Sequence, residues 1–171
     1  MTRRQFSVIT IRRYLPTDAP GLASLFRASV QDIATRDYTA SQIRAWASCI
    51  IDEGQFGQRC ESKLTWVAEM EGRIAGFSDL ESDGHIDMLY VHPDFKRRGV
   101  ARALLQHIEE AARTNGLRRL YTEASVTAHP VFEAMGFRTI VPQTVTVRGE
   151  SMINYRMEKR LEPAAMTMRS G

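Results

Sequence analysis

The sequence of 171 residues has few of the features that mark membrane, secreted or disulfide-linked proteins. Its two cysteines, Cys49 and Cys60, lie in no Cys-x-x-Cys pair and beside no metal-binding histidine spacing, so we expect reduced thiols and no metal site. No apolar run approaches the roughly 20 residues that a membrane-spanning helix needs. The basic start at 1–6 is followed by no apolar segment, so no signal peptide is expected. These absences predict a cytoplasmic protein without a membrane partner.

The sequence also lacks a recognisable nucleic-acid-binding module. Its formal net charge is +3, and 20 of its 23 cationic residues are arginine. Nucleic-acid binding would favour a basic stripe interleaved with aromatic residues. One basic cluster, at 96–102, has the local explanation given below, and Arg118 and Arg119 fit a solvated turn. We therefore expect no nucleic-acid partner.

Length and hydrophobic patterning predict a single domain over 1–171, with a core at about 9–160 and a frayed tail at 161–171. Apolar residues alternate in the predicted strands and recur at helical spacing in the predicted helices. In chain order we expect a strand at 9–14, a helix over 22–30 capped by Asp18, a helical region over 43–50, strands at 64–70, 74–81 and 85–91, a helix over 100–114, a strand at 117–124, a short helix at about 128–135, and strands at 137–147 and 152–158.

The stretch from Tyr90 to Leu105 is the most informative in the chain. It predicts a buried strand, a short turn and a basic, glycine-containing entry into an amphipathic helix. Such a helix start presents unpaired N–H groups and the positive end of the helix dipole, which together favour a phosphate. Gly99 allows close approach of the backbone, and four basic side chains surround the turn: Lys96, Arg97, Arg98 and Arg102. An ordinary helix start with a solvated basic face is the alternative.

This order of elements resembles the GNAT superfamily of acyl-CoA-dependent N-acetyltransferases, over nearly the whole chain. The family's phosphate motif is Gln or Arg, two free positions, Gly, one free position, then Gly or Ala. Here it stands as Lys96-Arg97-Arg98-Gly99-Val100-Ala101, after the typical lead-in Leu89-Tyr90-Val91-His92-Pro93. The block from Ser125 to Phe137 is a second typical signature. Lys96 departs from the usual first residue but keeps its charge.

The resemblance implies an α/β (α+β) fold. Its sheet is mixed and mostly antiparallel, with six to seven strands and about four flanking helices. A parallel pair of central strands splays apart, and we place this pair within 85–124. The function implied is transfer of an acetyl group from acetyl-CoA, the co-substrate, to a primary amine. The amine attacks directly in a ternary complex, since neither cysteine lies in either motif.

The resemblance also implies where acetyl-CoA binds. Backbone amides of 98–102 are expected to hold the pyrophosphate, and the backbone of Leu89 and Val91 is expected to pair with the pantetheine amides. The full set implied to bind the co-substrate is Leu89, Tyr90, Val91, Lys96, Arg97, Arg98, Gly99, Val100, Ala101, Arg102, Ser125 and Phe132.

Two residues in the second signature depart from the family. Ser125 stands where an Asn often contacts pantetheine, and Phe132 stands where a Tyr often protonates the departing thiolate. Phe132 has no proton to donate, so we expect its ring to pack in the core or to line the co-substrate. Water, Ser125, His129 or Tyr90 remain as donors to a thiolate whose ordinary pKa is near 8–9.

A base must remove a proton from a protonated amine before it attacks the thioester. In the family this base often lies near the start of the strand before the phosphate turn, where His85 and Asp87 stand at i and i+2. We expect a neutral His85 to accept the proton through a water, with Asp87 orienting it or raising its pKa. Glu123 on the neighbouring strand is a third candidate.

The acceptor amine is left open: a polyamine, an amino sugar, an amino acid and a protein N-terminus all fit. Substrate selection in the family comes from the first two helices and the last hairpin, so Asp37-Tyr38-Thr39 and Trp46 are candidate pocket residues. Partners are thus a small-molecule or peptide amine, with a homodimer also open. A non-catalytic CoA-binding or sensory module of the same fold is the alternative function.

Overall fold

The structure is a computed structural model that describes residues 7–33, 36–50 and 52–163, so most of the predicted tail lies outside it. These residues form eight strands and five α-helices. The strands are β1 (Thr10–Arg13), β2 (Leu64–Met70), β3 (Arg73–Leu80), β4 (His85–Ile86), β5 (Leu89–Val91), β6 (Arg119–Ser125), β7 (Arg138–Val147) and β8 (Glu150–Arg160). The helices are α1 (Ala19–Gln31), α2 (Ala40–Ala47), α3 (Glu53–Glu61), α4 (Val100–Thr114) and α5 (His129–Ala134).

The strands form two four-stranded sheets. One has the order β1-β2-β3-β5 and the other β4-β6-β8-β7. Within the described residues, β4 and β6 form a parallel pair, with His85 opposite Tyr121, and the other pairs are antiparallel. The mixed, mostly antiparallel α/β fold expected from the resemblance is confirmed, with eight strands and five helices in place of six to seven and about four.

Alternating side chains of the first sheet enter two separate cores. Val67 and Phe77 are fully buried against helices α1 to α3. Trp66 and Ala68, the neighbours of Val67 on β2, face the other way and pack with α4 and α5. This is the period-two alternation expected of a strand that is covered on both faces. The first sheet therefore carries helices on both sides.

Close packing fixes α4 against the first sheet. A Cβ atom on Gly76 would lie 2.8 Å from Val100 Cγ1 and 2.9 Å from the carbonyl oxygen of Tyr90. Only a glycine allows this approach. Leu104, Leu105 and Ile108 then bury the apolar face of α4, each contributing about 1.5–3 kcal/mol by leaving water. The start of α4 is thereby held beside β5, where the basic turn ends.

Three local expectations were wrong. The predicted strand at 85–91 is interrupted, because β4 ends at Ile86 and β5 begins at Leu89. The helical region predicted at 43–50 corresponds to α2, which ends at Ala47. Helix α3 was not predicted. Asp18 does not cap α1 with its side chain. Its carboxylate instead accepts two hydrogen bonds from the Arg12 guanidinium, at 2.8 and 2.9 Å, because this bidentate ion pair is stronger than a cap.

No helix in the described ranges is both long enough and apolar enough to cross a bilayer.

Candidate active site

The break between β4 and β5 is stabilised by a buried carboxylate on β3. Asp79 is fully buried, and its Oδ1 accepts hydrogen bonds from the backbone N–H of Asp87 at 2.8 Å and of Met88 at 2.9 Å. Ser78 Oγ donates to the carbonyl of Met88 at 2.6 Å. The backbone groups of Asp87 and Met88 thus bind to side chains in place of the neighbouring strand that a continuous β-strand would pair with. The chain can therefore stop pairing with β6 after Ile86 and pair with β3 from Leu89 onward.

The gap that opens beside β5 exposes backbone groups on one edge. The carbonyl of Met88 accepts from Asp79 N and the N–H of His92 donates to the Ala75 carbonyl, so alternate residues of this stretch face β3. By the same alternation, the N–H and C=O groups of Leu89 and Val91 face the gap. An extended chain with amide groups can add to this edge as a further strand.

The turn from Lys96 to Arg102, here called the basic turn, presents a run of free amides. Within the described parts of the chain, the N–H groups of 97–102 have no hydrogen-bond acceptor, and the first helical bond runs from Ala103 N to the Gly99 carbonyl at 3.0 Å. Arg97 and Gly99 both have positive φ, 59° and 86°. This backbone forms a concave set of donors at the positive end of α4, which suits an anion.

The basic side chains of this turn divide into two kinds. Lys96 pairs with Asp32, and Arg98 pairs with Glu71 while its guanidinium lies over the Phe95 ring. Arg97 and Arg102 are exposed and form no ion pair with any residue that the structure describes. The positive charge around the turn is thus partly neutralised by Asp32 and Glu71. The free backbone amides remain available to an anion.

A pocket of about 420 Å³, here called the central pocket, opens between β5 and β6. Part of its lining, here called the apolar wall, is apolar and aromatic, and the rest, here called the charged wall, carries charged groups. The apolar wall includes Phe26, Trp46, Met88, Tyr90 and Met152, and the charged wall includes Arg59, His85, Asp87 and Glu123. Both predicted catalytic residues, His85 and Asp87, line this pocket, as do Tyr38 and Trp46.

The imidazole of His85 lies between two carboxylates. Its Nε2 is 2.5 Å from Glu123 Oε2 and its Nδ1 is 3.1 Å from Glu81 Oε2. Since carboxylates only accept, both ring nitrogens donate when the ring is protonated. Burial works against the charged ring, but the hydrogen bonds and negative charges of Glu123 and Glu81 outweigh it and raise the pKa of His85. The ring is therefore held toward its charged form.

Asp87 belongs to a different set of contacts. It pairs with Arg59 on α3 and accepts from Lys63 Nζ at 2.7 Å. Burial would raise its pKa, but the two cations lower it, so Asp87 stays ionised. The expectation that Asp87 orients His85 was wrong, because no hydrogen bond of the described residues joins them. Its negative charge nevertheless faces the same pocket.

Contacts between distant segments close the pocket on one side. The hydroxyl of Tyr38 accepts from Val126 N at 2.9 Å and donates to the carbonyl of Ile153 at 3.2 Å. Gln42 Nε2 donates to the Ser151 carbonyl at 2.7 Å. The segment before α2 is thereby tied to the hairpin of β7 and β8, and both help to shape the pocket.

The remaining predicted residues take mixed positions. Ser125 lines the pocket, and its Oγ accepts from Ala128 N at 3.0 Å. Phe132 is 2% exposed and packs on Phe137, so it occupies the core position named for it above; its contact with coenzyme A stays a prediction.

The Tyr90 hydroxyl accepts from Trp46 Nε1 at 3.3 Å, and burial raises its pKa. His129 Nε2 lies 2.7 Å from Thr139 Oγ1 and its ring is on Tyr155.

Sequence reasoning missed Arg59, Asp79 and Asn154. Arg59 lies on the unpredicted helix α3, and Asn154 lines the pocket with a buried Oδ1 that has no hydrogen-bond partner among the described residues. A signal existed for Asp79, since Ser78-Asp79 places two adjacent polar residues in an otherwise apolar strand. A buried polar residue in such a place needs a partner and often marks a site.

Comparison with known proteins agrees with this geometry. A family model described as an acetyltransferase (GNAT) domain matches residues 34–159. The chain belongs to the GNAT acetyltransferase family. It is 37% identical over 149 residues to the uncharacterized N-acetyltransferase YafP of Escherichia coli K12, covering 87% of this chain and 94% of that protein. This chain is thus a GNAT-type N-acetyltransferase.

Solved structures of the family share the fold. A GCN5-related N-acetyltransferase from Rhodopseudomonas palustris is 38% identical and superposes with a TM-score of 0.87, covering 91% of this chain and 97% of that one. YncA, a putative acetyltransferase from Salmonella typhimurium solved with its cofactor acetyl-CoA, has a TM-score of 0.71 at 17% identity, covering 96% of this chain and 100% of that one. At that identity the likeness concerns the fold alone.

Proposed function

We propose that this GNAT enzyme transfers an acetyl group from acetyl-CoA to a primary amine held in the central pocket. The amine attacks the thioester directly in a ternary complex. The observation that carries this proposal is the position of the His85–Glu123 pair, which faces the pocket beside the open edge of β5. A base and an acyl donor can therefore meet the same nitrogen.

Acetyl-CoA would bind along two surfaces that need no side-chain specificity. The pyrophosphate accepts hydrogen bonds from the free amides of 97–102, and the pantetheine amides pair with the backbone of Leu89 and Val91. Arg97 and Arg102 add positive charge at the mouth. This arrangement directs the thioester toward the residues that end β6, including Ser125.

Proton removal starts at Glu123 in this proposal. Both ring nitrogens of His85 already face carboxylates, Nε2 that of Glu123 and Nδ1 that of Glu81, so neither is free to accept directly from the amine. Glu123, hydrogen-bonded to that ring and facing the pocket, takes the proton from the ammonium group. The neutral nitrogen then attacks the carbonyl carbon, the C–N bond forms and the C–S bond breaks. The nitrogen loses its second proton, which passes through water to the departing thiolate.

The acceptor class follows from the two walls of the pocket. Phe26, Trp46 and Met152 offer an apolar surface, while Asp87 and Glu123 offer negative charge. A primary ammonium carried on an apolar or aromatic body would bury its body on the first wall and place its charge on the second. Sugars and linear polyamines would leave the apolar wall in contact with polar atoms. We therefore propose an apolar amine as the acceptor.

Calorimetry with acetyl-CoA and thiol release with a panel of amines test this proposal. We expect binding of acetyl-CoA and turnover in the order 2-phenylethylamine, phenylalanine, spermidine and glucosamine. Phenylalanine is the matched control for charge, since it adds a carboxylate to the same body. Fastest turnover with glucosamine or spermidine would contradict the acceptor class.

The alternative is a non-catalytic CoA-binding module, and Phe132 in place of the usual tyrosine favours it. The same measurements separate the two functions. Binding of acetyl-CoA without thiol release from any amine would support the module. Thiol release that depends on the amine, with one acetyl group transferred per thiol, would exclude it.

A further inference from the structure

A chain of hydrogen-bonded side chains leads from the central pocket to a second cavity. The second cavity has a volume of about 690 Å³, and Lys63, Glu81 and Ser82 lie in its wall. His85 and Glu123 line the central pocket instead. Glu81 binds His85 Nδ1 on one side and faces the second cavity on the other, so these residues form a partition between two spaces.

Three contacts make this chain continuous. Glu123 Oε2 is 2.5 Å from His85 Nε2, His85 Nδ1 is 3.1 Å from Glu81 Oε2, and Glu81 Oε1 is 2.8 Å from Lys63 Nζ. Each distance lies within hydrogen-bond range. The two nitrogens of one imidazole thus connect a carboxylate in the pocket with a carboxylate at the second cavity.

Other charged groups around the chain hold it in place. Lys63 is 10% exposed and also binds Asp79 and Asp87, at 3.2 and 2.7 Å. Asp83 accepts from the backbone N–H of His85, and the Tyr121 ring stacks on the imidazole with centroids 4.8 Å apart. Burial would raise the pKa of Glu81, but Lys63 and His85 lower it, so Glu81 releases a proton readily at neutral pH.

We propose that Glu81 is the outlet through which the proton of the acceptor amine leaves the active site, by way of Glu123 and His85, into the second cavity. This inference rests on the acetyl transfer proposed above. The ammonium gives a proton to Glu123. Glu123 passes it to Nε2 of the neutral ring, whose own proton is on Nδ1, and the charged ring then releases the Nδ1 proton to Glu81. Glu81 then loses that proton to solvent. One proton moves from nitrogen to water, and Glu123 and Glu81 end ionised as they began. The ring, left with its proton on Nε2, returns to the Nδ1–H form by exchanging protons with solvent.

Glu81→Gln tests the outlet, since glutamine can still accept from His85 Nδ1 but cannot take up its proton. With 2-phenylethylamine, which is protonated at pH 7, we expect kcat to fall about tenfold or more. A β,β-difluorinated 2-phenylethylamine has the same body and a much less basic nitrogen that arrives largely neutral. We expect its turnover to change less than about twofold, because no proton has to be removed before attack. A structural defect would slow both amines equally.

The matched control is Glu61→Gln, an exposed glutamate in the wall of the same second cavity, which is expected to leave both rates unchanged. Glu81→Asp keeps the charge but shortens the reach to His85, and it is expected to give the pattern of Glu81→Gln in weaker form. Equal rates for wild type and Glu81→Gln with the protonated amine would overturn the outlet alone. A wild-type protein that acetylates neither amine would overturn the proposed function as well.

Discussion

The basic turn, which follows β5 in the chain, and the central pocket, which Tyr90 of β5 lines, are built in opposite ways. The turn consists of seven consecutive residues, and its free amides belong to one short stretch of backbone. The central pocket takes side chains from eight of the thirteen helices and strands, from Phe26 on α1 to Asn154 on β8. Its charged wall alone joins Arg59 on α3, His85 on β4 and Glu123 on β6.

This difference explains how each region achieves its chemistry. Amides at a helix start are oriented by the helix itself, so an anion site needs little from the rest of the fold. Carboxylates and an imidazole that share a pocket must be brought together against desolvation and, for like charges, repulsion. The central pocket therefore depends on buried residues such as Asp79 that never contact a substrate.

The largest effect is expected at Asp79. Asp79→Ala removes one of the three carboxylates around Lys63 and leaves the amides of Asp87 and Met88 without an acceptor. Each buried amide left without an acceptor costs about 1–3 kcal/mol of unfolding free energy. Urea denaturation measures this loss. Asp94→Ala is the control beside the basic turn, where the exposed pair with Arg73 is expected to leave the urea midpoint nearly unchanged. Equal losses in both variants would contradict the contrast between the regions.

Glu123→Gln is expected to have the next largest effect, a loss of kcat. It keeps the side-chain shape but removes the proton acceptor, so kcat with 2-phenylethylamine is expected to fall about a hundredfold. Acetyl-CoA affinity, measured by calorimetry, is expected to stay the same, because Glu123 lies in the pocket and not at the basic turn. Glu110→Gln, on the exposed face of α4, serves as the control. A loss of acetyl-CoA affinity without a loss of kcat would reverse the assignment of the two regions.

Gly99→Val tests the basic turn. At φ 86° a valine is strained, although its Cβ would meet only Ile9, at 3.9 Å. The turn is expected to change conformation, at a cost of about 1–2 kcal/mol, and to raise the KM for acetyl-CoA about tenfold. Gly116→Val is a matched control, since Gly116 follows the other end of α4 with φ 74° and open space. Gly116→Val is expected to lose similar stability and to keep the wild-type KM for acetyl-CoA. An unchanged KM in Gly99→Val would contradict the assignment of the basic turn as an anion site.

The smallest effect concerns pH. The folded protein raises the pKa of His85, so the protonated ring stabilises the fold. This contribution is fully present below the unfolded pKa of about 6.5 and is lost as pH rises through the higher folded value. The stability advantage of wild type over His85→Gln is therefore expected to shrink as pH rises from 6 to 9. Urea midpoints across this range measure it. An advantage that grows with pH would show that the neutral ring is the one stabilised.

The sequence predicted the elements whose patterns are local. Strands with regular alternation and the amphipathic helix α4 lie within a few residues of their expected bounds. It failed for α3, where Gly54 and Gly57 interrupt the helical pattern and Asp52 was not recognised as the cap that accepts from Gln55 N. Tertiary packing of Phe56 and Cys60 stabilises this helix in place of propensity.

The candidate site shows the same division. The shared pocket of His85 and Asp87 could be predicted because both flank the end of one strand. The contacts with Arg59, Glu123 and Lys63 could not, since these three residues are 20 or more positions away from their partners in the chain. Sequence spacing gives no distance between side chains on different elements.

The sequence by itself determined the family, the alternation of strands and the basic turn, because these depend on residue order over a few positions. The tertiary structure alone decided that His85 lies between Glu81 and Glu123 and that Asp87 faces Arg59 and Lys63. Hydrogen bonds and ion pairs depend on distances of about 3 Å between atoms of distant residues. Such distances arise only when the strand breaks at Asp87 and the sheet and helices pack around it.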